Sequence, residues 1–406
     1  MSNLTQENSS VDADSPPLST APLRNRVLLR FLLQFVVIFL VAGLVAVFVY
    51  QVHTGLQKHG VEFGFDYLTS PSGIQITDGV TLALANGFPS LQSFSPDMSN
   101  LQAYITGLLN TISVVVAIVI LSSLLGTMLA LGRVSKNWVL SKVSFGLIEF
   151  IRNTPLLIQV TFWYFAVVLN FPPAVIAAKY LDGVIISKQG VFIPSIALNE
   201  GGIFSGLSIL LVAGIALYMT SRFARKGPAR LAKLAVLIAA AALLYYFKPL
   251  AMSFPTATRF SASGGTHFSA EMVALILGLS INACAYIAEI LRGGLETLPK
   301  GQWEAASSLG FGRSKALTNI ILPQVFRVVL PSLGNQYISL AKNTSIGIAI
   351  GYPDLFNVTG TVANQTGRTL EGIVLMVIAY LVISWAISGL TNVASFFVNK
   401  AHRGQR

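Results

Sequence analysis

The sequence predicts an all-α, polytopic membrane protein of about eight transmembrane helices, and three observations predict it. Of 406 residues, 53% are hydrophobic and only 11% charged, where a soluble domain carries roughly a quarter charged residues. Apolar stretches near the length a bilayer requires, about 20 residues each, recur at 27–50, 104–131, 143–169, 204–220, 231–250, 268–291, 326–347 and 372–398. The basic residues then sort by side. With an even number of spans and the polar segment 292–327 inside, 19 Lys and Arg fall on the cytoplasmic side and 6 outside, leaving Arg152 and Lys342 within spans. Cytoplasmic loops carry such an excess, so both termini are expected inside. The net charge of +11 therefore reports orientation in a lipid bilayer, and no nucleic acid is expected as a partner.

Each element has its own reason. Residues 1–22 are polar and rich in Ser and Pro, with too little apolar surface to order themselves, and are expected to be a disordered cytoplasmic tail. The region 23–101 is expected to hold one helix and a periplasmic segment. Its apolar stretch is longer than a signal-peptide core and lacks a small-residue cleavage site. A larger transmembrane domain is expected over 102–398, with a last tail at 399–406. In its first span Gly107, Asn110, Thr111, Ser122, Ser123 and Gly126 are small or hydrogen-bonding residues of the type that packs membrane helices together. Cys284 is the only cysteine, so an intrachain disulfide is impossible.

Ionisable side chains in apolar spans are costly, and they mark either functional or paired sites. Two recur as an echo, Glu149-x-x-Arg152-Asn153 and Glu289-x-x-Arg292-Gly293. At i, i+3 on a helix each acid and base can pair, so both a structural pair and a pathway role stay open. After Arg152, Pro155 breaks the hydrogen-bond ladder of its span, and Asn153 and Thr154 can compensate the freed carbonyls. Such a break is a substrate contact or a kink. Lys342 lies about 24 Å along a span starting near Phe326, at 1.5 Å per residue, too deep to reach the inner surface. With Asn343, Thr344 and Ser345 it offers donors for a carboxylate, belonging either to a substrate or to a partner subunit.

Residues 301–323, GQWEAASSLGFGRSKALTNIILP, are too polar for a lipid-facing helix. Gln302 to Leu309 favours a short helix that Gly310 can end in a left-handed turn. A second run, capped by Ser314 and limited by Pro323, comes next. Two short helices at an angle, with alanines and serines outward, make a knob suited to docking. Glu304-Ala305-Ala306, Gly310 and Ile321-Leu322-Pro323 in this spacing resemble the EAA loop of binding-protein-dependent ABC transporter permeases. The strings Arg152-Asn153-Thr154-Pro155-Leu156-Leu157-Ile158-Gln159, Lys342-Asn343-Thr344-Ser345 and Glu289 to Gln302 are similar to those of the polar amino-acid branch, among which length and extra spans look like a general L-amino-acid permease.

The resemblance covers about 102–170 and 268–398 and leaves an insertion at 171–267 carrying two extra spans. It implies a type I (MetI-like) permease fold in the bacterial inner membrane and import of a polar amino-acid substrate. The implied partners are cytoplasmic ABC ATPase subunits, a homologous permease subunit and a periplasmic amino-acid-binding protein. Gly301, Gln302, Glu304, Ala305, Ala306 and Gly310 would couple to the ATPase; Arg152, Asn153, Thr154, Pro155, Glu289, Lys342, Asn343, Thr344 and Ser345 would line the pathway. The chain contains no G-x-x-x-x-G-K-[ST] phosphate loop and no catalytic constellation, so it is not expected to be an enzyme. His53, His59, His267 and His402 show no metal-ligand spacing, and no metal or cofactor is expected. An ion-gradient-driven secondary transporter is the alternative, with Glu149, Glu289 and Lys342 carrying ions; it leaves the 301–323 knob without a purpose.

Overall fold

The computed structural model describes residues 21–58, 63–85, 88–178, 183–198, 209, 212–216, 218, 228–247, 250–258 and 261–403. Five of the described helices are long and apolar enough to cross a membrane. The first belongs to a separate unit ending at Gly64. This is helix α1 (Ala21–Lys58), whose stretch Arg30–Val52 buries none of its side chains within the chain. A surface of that composition requires lipid or another protein around it.

In the second unit, α2 (Asn100–Arg133) opens with a capping box in which Ser99 and Gln102 satisfy one another's backbone donors. Helix α3 (Trp138–Arg152) stops where Pro155 removes a donor. The chain resumes as α4 (Leu156–Phe162), loosens into a π turn (Trp163–Val167) and tightens into a 3-10 turn (Val168–Asn170). The span expected at 143–169 is thus two helical pieces. A single turn, α5 (Ala174–Ala177), and the 20-residue apolar helix α6 (Pro228–Phe247) belong to the inserted region. The span expected at 204–220 lies mostly outside the described residues, as does the tail expected at 1–22, whose last two residues, Ala21 and Pro22, lie in α1.

Helix α7 (Ala270–Glu296) is followed by α8 (Lys300–Ser308), α9 (Arg313–Ala316) and, through a π turn at Leu317–Ile321, by α10 (Leu322–Asn343). Helices α11 (Leu355–Thr366) and α12 (Thr369–Arg403) complete the chain. The last runs past residue 398, where a tail was expected.

Small residues decide how these helices approach. A Cβ on Gly126 of α2 would lie 2.7 Å from Ile287 Cγ2 and 2.9 Å from the Cys284 carbonyl oxygen on α7. One on Gly278 of α7 would come within 2.9 Å of Val160 Cγ2 on α4. Around these contacts Val114, Ile118, Val160, Leu275, Leu279 and Leu340 form a fully buried core. Polar residues of α2 fix its neighbours: Asn110 Nδ2 donates to the carbonyls of Asp78 and Pro353 at 2.9 Å each, and the Leu355 amide donates to Thr111 Oγ1 at 3.0 Å. Gly293 and Gly294 lie inside α7. Gly294 is there for packing, because a Cβ would meet Val329 Cγ1 at 2.2 Å.

Between the spans the chain is not purely loop. Strands β1 (Val80–Ala85) and β2 (Phe88–Ser93) form an antiparallel pair. In the insertion β3 (Ile185–Ser187) and β4 (Gly190–Ile193) are joined by β9 (Thr266–Ser269), and β5 (Ser195–Leu198) pairs with β6 (Leu250–Ser253). The remaining short pair is β7 (Thr256–Ala257) with β8 (Ala262–Ser263). The ladders β4–β9 and β5–β6 close the insertion at its base, pairing backbone groups that would otherwise stay unsatisfied. His267 of β9 stacks on Phe192 and lies 3.6 Å from the Asp78 carboxylate, tying the insertion to the segment before β1.

Candidate translocation cavity and coupling knob

The break after Arg152 is built as a set of replacements for lost helix bonds. Asn153 Nδ2 donates to the Glu149 carbonyl at 2.8 Å, and Thr154 Oγ1 to the Phe150 carbonyl at 2.7 Å. The carbonyls of Ile151 and Thr154 both accept from Gln159 Nε2, at 2.8 and 2.9 Å. Gln159 is only 8% exposed, and sequence reading passed it over as a pathway or positioning residue. The available signal was a lone amide in an apolar run, one helical turn after Pro155.

The break opens one wall of a polar cavity of about 450 Å³. Arg152, Asn153, Thr154 and Pro155 line that wall, Asn282 and Tyr286 of α7 the second, and Gln336, Ser339 and Asn343 of α10 the third. Asn282 is 7% exposed, and its side chain hydrogen-bonds to nothing among the described residues, so it presents an unspent amide to the cavity. The Arg152 guanidinium lies 5.6 Å from the Tyr286 ring centroid and 3.5 Å from the Glu149 carboxylate. Helix α10 reaches the site in a stripe at 336, 339 and 343, one face at helical spacing.

Five of the residues named for the pathway, Arg152 to Pro155 and Asn343, come together here. The other four do not line it. Glu289 sits on α7 three residues beyond Tyr286 and grips Arg292 Nε at 2.8 Å; Arg292 also bonds Glu296. Lys342 is exposed and outside the cavity lining, with no carboxylate in ion-pair reach among the described residues. Thr344 and Ser345 hydroxyls donate to the carbonyls of Ala341 and Lys342, at 2.9 Å each. Asn282, Tyr286, Gln336 and Ser339 are the residues sequence reading missed; the spacing of 336, 339 and 343 was the signal.

The segment after α7 forms the expected knob, with two differences. Gly310 takes φ +78°, and the amides of Gly310 and Phe311 donate back to the carbonyls of Ser307 and Ala306 at 3.0 and 3.1 Å, closing α8 in a Schellman motif. The second run, however, is not a separate short helix. Gly312 precedes α9 as its cap, Ser314 lies inside it, and α9 runs through the π turn past Pro323 into α10 as one span, Arg313–Ile350. The wider turn and a first-turn position accommodate a residue lacking an N–H. Ala306 also faces inward, 1% exposed, while Gly301, Glu304, Ala305, Ser307 and Ser308 face out. Leu309 stands 74% exposed at the tip. Gln324 Nε2 of α10 donates to Gln302 Oε1 at 3.0 Å and locks α8 against the helix that leads to the cavity.

A mostly helical membrane protein with a polar cavity at a broken helix and a compact polar knob has the architecture of a transporter subunit. Residues 122–403 match the binding-protein-dependent transport system inner membrane component family, and the chain belongs to it. It is 35% identical over 361 residues, 86% of this chain and 89% of the relative, to a protein named for amino-acid ABC transport, YhdX of Escherichia coli (strain K12). It is 31% identical over 352 residues, 84% of this chain and 85% of the other, to the general L-amino acid transport system permease protein AapQ of Rhizobium johnstonii. A third relative, the glutamate/glutamine/aspartate/asparagine transport system permease protein BztB of Rhodobacter capsulatus, is 30% identical over 379 residues, 84% of this chain and 86% of that one. The chain is therefore an inner-membrane ABC transporter permease of MetI-like fold, not an enzyme.

Proposed function

We propose that this permease imports polar L-amino acids through the cavity at the α3–α4 break, driven by separate ATPase subunits that dock on the α8 knob. The observation that carries the reading is the single rigid path from knob to cavity. Gln302 is bonded to Gln324, and the helix that begins there presents Gln336, Ser339 and Asn343 to the cavity about 18 to 28 Å further on, at 1.5 Å per residue. A displacement of Glu304 and its outward neighbours is passed along α10 to one wall, while the Arg152 wall belongs to another helix. The cavity then widens or narrows as that wall shifts.

The chemistry of the lining suits an amino acid. Arg152 has one carboxylate partner at 3.5 Å and spare donors for a substrate carboxylate. The amides of Asn282, Gln336 and Asn343 offer both donors and acceptors for an ammonium and a polar side chain. The relatives' named cargo is amino acids, including acidic and amide ones for BztB. A periplasmic binding protein would deliver substrate and a homologous permease would complete the pathway. With Glu304→Lys, the permease should stay in the membrane but lose ATPase co-purification and ATP-dependent uptake in proteoliposomes. Uptake that persists with no ATPase subunit present would overturn the reading.

A further inference from the structure

Near the knob, two apolar spans end together around a slot that the transport reading does not use. The span Asn100–Arg133 stops at Arg133, and the span Arg313–Ile350 begins at Arg313. Between them lies a cavity of about 590 Å³. Its walls include Met128 and Leu131 of α2, Leu140 of α3 and Trp303 of α8, and its charged members are Lys136 and Arg313. Met128 is 63% exposed and Leu140 49%, so the apolar wall continues onto the outer face of the spans.

The charges decide what fits. Ion pairs among the described residues engage Arg152, His267, Arg292 and Arg368, so neither Lys136 nor Arg313 has a carboxylate partner there. The Arg313 guanidinium lies 5.8 Å from the Trp303 ring centroid, which holds it beside the slot without neutralising it. Two exposed cations facing one cavity favour an anion between them, and the wall from Met128 to Leu140 favours hydrocarbon. A water-soluble phosphate satisfies only the first demand. A molecule meeting both, found where apolar spans give way to polar loops, is an anionic phospholipid.

We propose that this slot holds an anionic phospholipid, its phosphate between Lys136 and Arg313 and its glycerol and first acyl segment along Met128, Leu131 and Leu140. The lipid then bridges the α2–α3 turn and the base of the knob.

The test uses the assembled permease–ATPase complex in phosphatidylcholine nanodiscs doped with photoactivatable phosphatidylglycerol or photoactivatable phosphatidylcholine. Peptides spanning 128–140 and 303–317 should be labelled at least five-fold more by the glycerol lipid. Lys136→Gln with Arg313→Gln should bring that ratio to one. Leu131→Trp, which keeps both charges and fills the slot, should also abolish the labelling, and complexes are compared only where they elute as one species. Equal labelling by both lipids, or labelling unchanged in either variant, would overturn the proposal. So would competition by millimolar inorganic phosphate, which assigns the site to a free anion, or a Ser135→Cys cross-link to the ATPase, which assigns it to protein.

Discussion

The two Glu-x-x-Arg segments are near copies in sequence and opposites in structure. Arg292 lies within α7, held by Glu289 at 2.8 Å and by Glu296, so two carboxylates surround one cation. Arg152 ends α3, has one carboxylate at 3.5 Å and rests on the Tyr286 ring beside an open polar cavity. The residues just beyond each arginine make the difference. After Arg292 a helical turn brings a second acid; after Arg152 a proline ends the helix and turns the chain away. An arginine neutralised on two sides ties a helix end together, and one left half-paired is available to a ligand.

The largest effect separates the two on transport. Arg152→Gln should raise the KM for uptake by about 10-fold or more, in line with about 1.5–3 kcal/mol for a charged hydrogen bond, while ATPase co-purification is kept. Arg292→Gln should leave KM unchanged and reduce the yield of assembled complex, because Glu289 and Glu296 then repel. If both variants behave alike in uptake kinetics, the distinction between the pairs is wrong.

The next effect concerns what keeps the break open. Gln159→Leu removes the donor to the part-buried carbonyls of Ile151 and Thr154, at about 0.5–1.5 kcal/mol for each lost bond, and should lower the thermal midpoint of the purified complex and also raise KM. An intermediate effect in Gln159→Asn, which keeps an amide on a shorter arm, would sharpen the assignment; no change in either quantity for the leucine variant would break it. On the α7 side, Gly294→Ala drives a methyl towards Val329 Cγ1 and should cut complex yield without altering KM in what assembles.

The smallest effect tests the anchor beyond the far end of α10. Asp354 caps α11 through the Asn357 amide at 2.9 Å, and burial pushes its carboxyl up to about 6. A carboxyl raised on folding means that the folded protein binds the extra proton. Stability conferred by this group is therefore highest below the ordinary carboxylate range and declines as pH rises towards about 6. Asp354→Asn keeps a capping side chain and should flatten the change in thermal midpoint between pH 4.5 and 7. A slope equal to that of the unaltered protein would remove Asp354 as its source.

Much of the site was legible because it rests on local chemistry. Pro155 breaks a helix whatever surrounds it, Asn153 and Thr154 reach carbonyls one turn back, and Gly310 reverses the chain because only glycine adopts φ +78° without cost. Lys342 does not line the cavity, because depth along a helix is readable from sequence and facing is not. The same limit applied to Ala306, whose inward turn depends on where α8 lies against its neighbours. Nothing local in the sequence sets Asn282 apart, and only the approach of the α3–α4 break and α10 places it in the cavity.

The sequence by itself determined the membrane class, the apolar spans, the broken helix and the knob, since hydrophobic length and backbone chemistry act over a few residues. Tertiary structure alone decided which arginine is left half-paired, which amides converge on one cavity and which helix joins the knob to it. Those depend on glycine-mediated approaches such as Gly126 to Ile287 and Gly278 to Val160, where segments distant in sequence meet closely enough for side-chain chemistry to be shared.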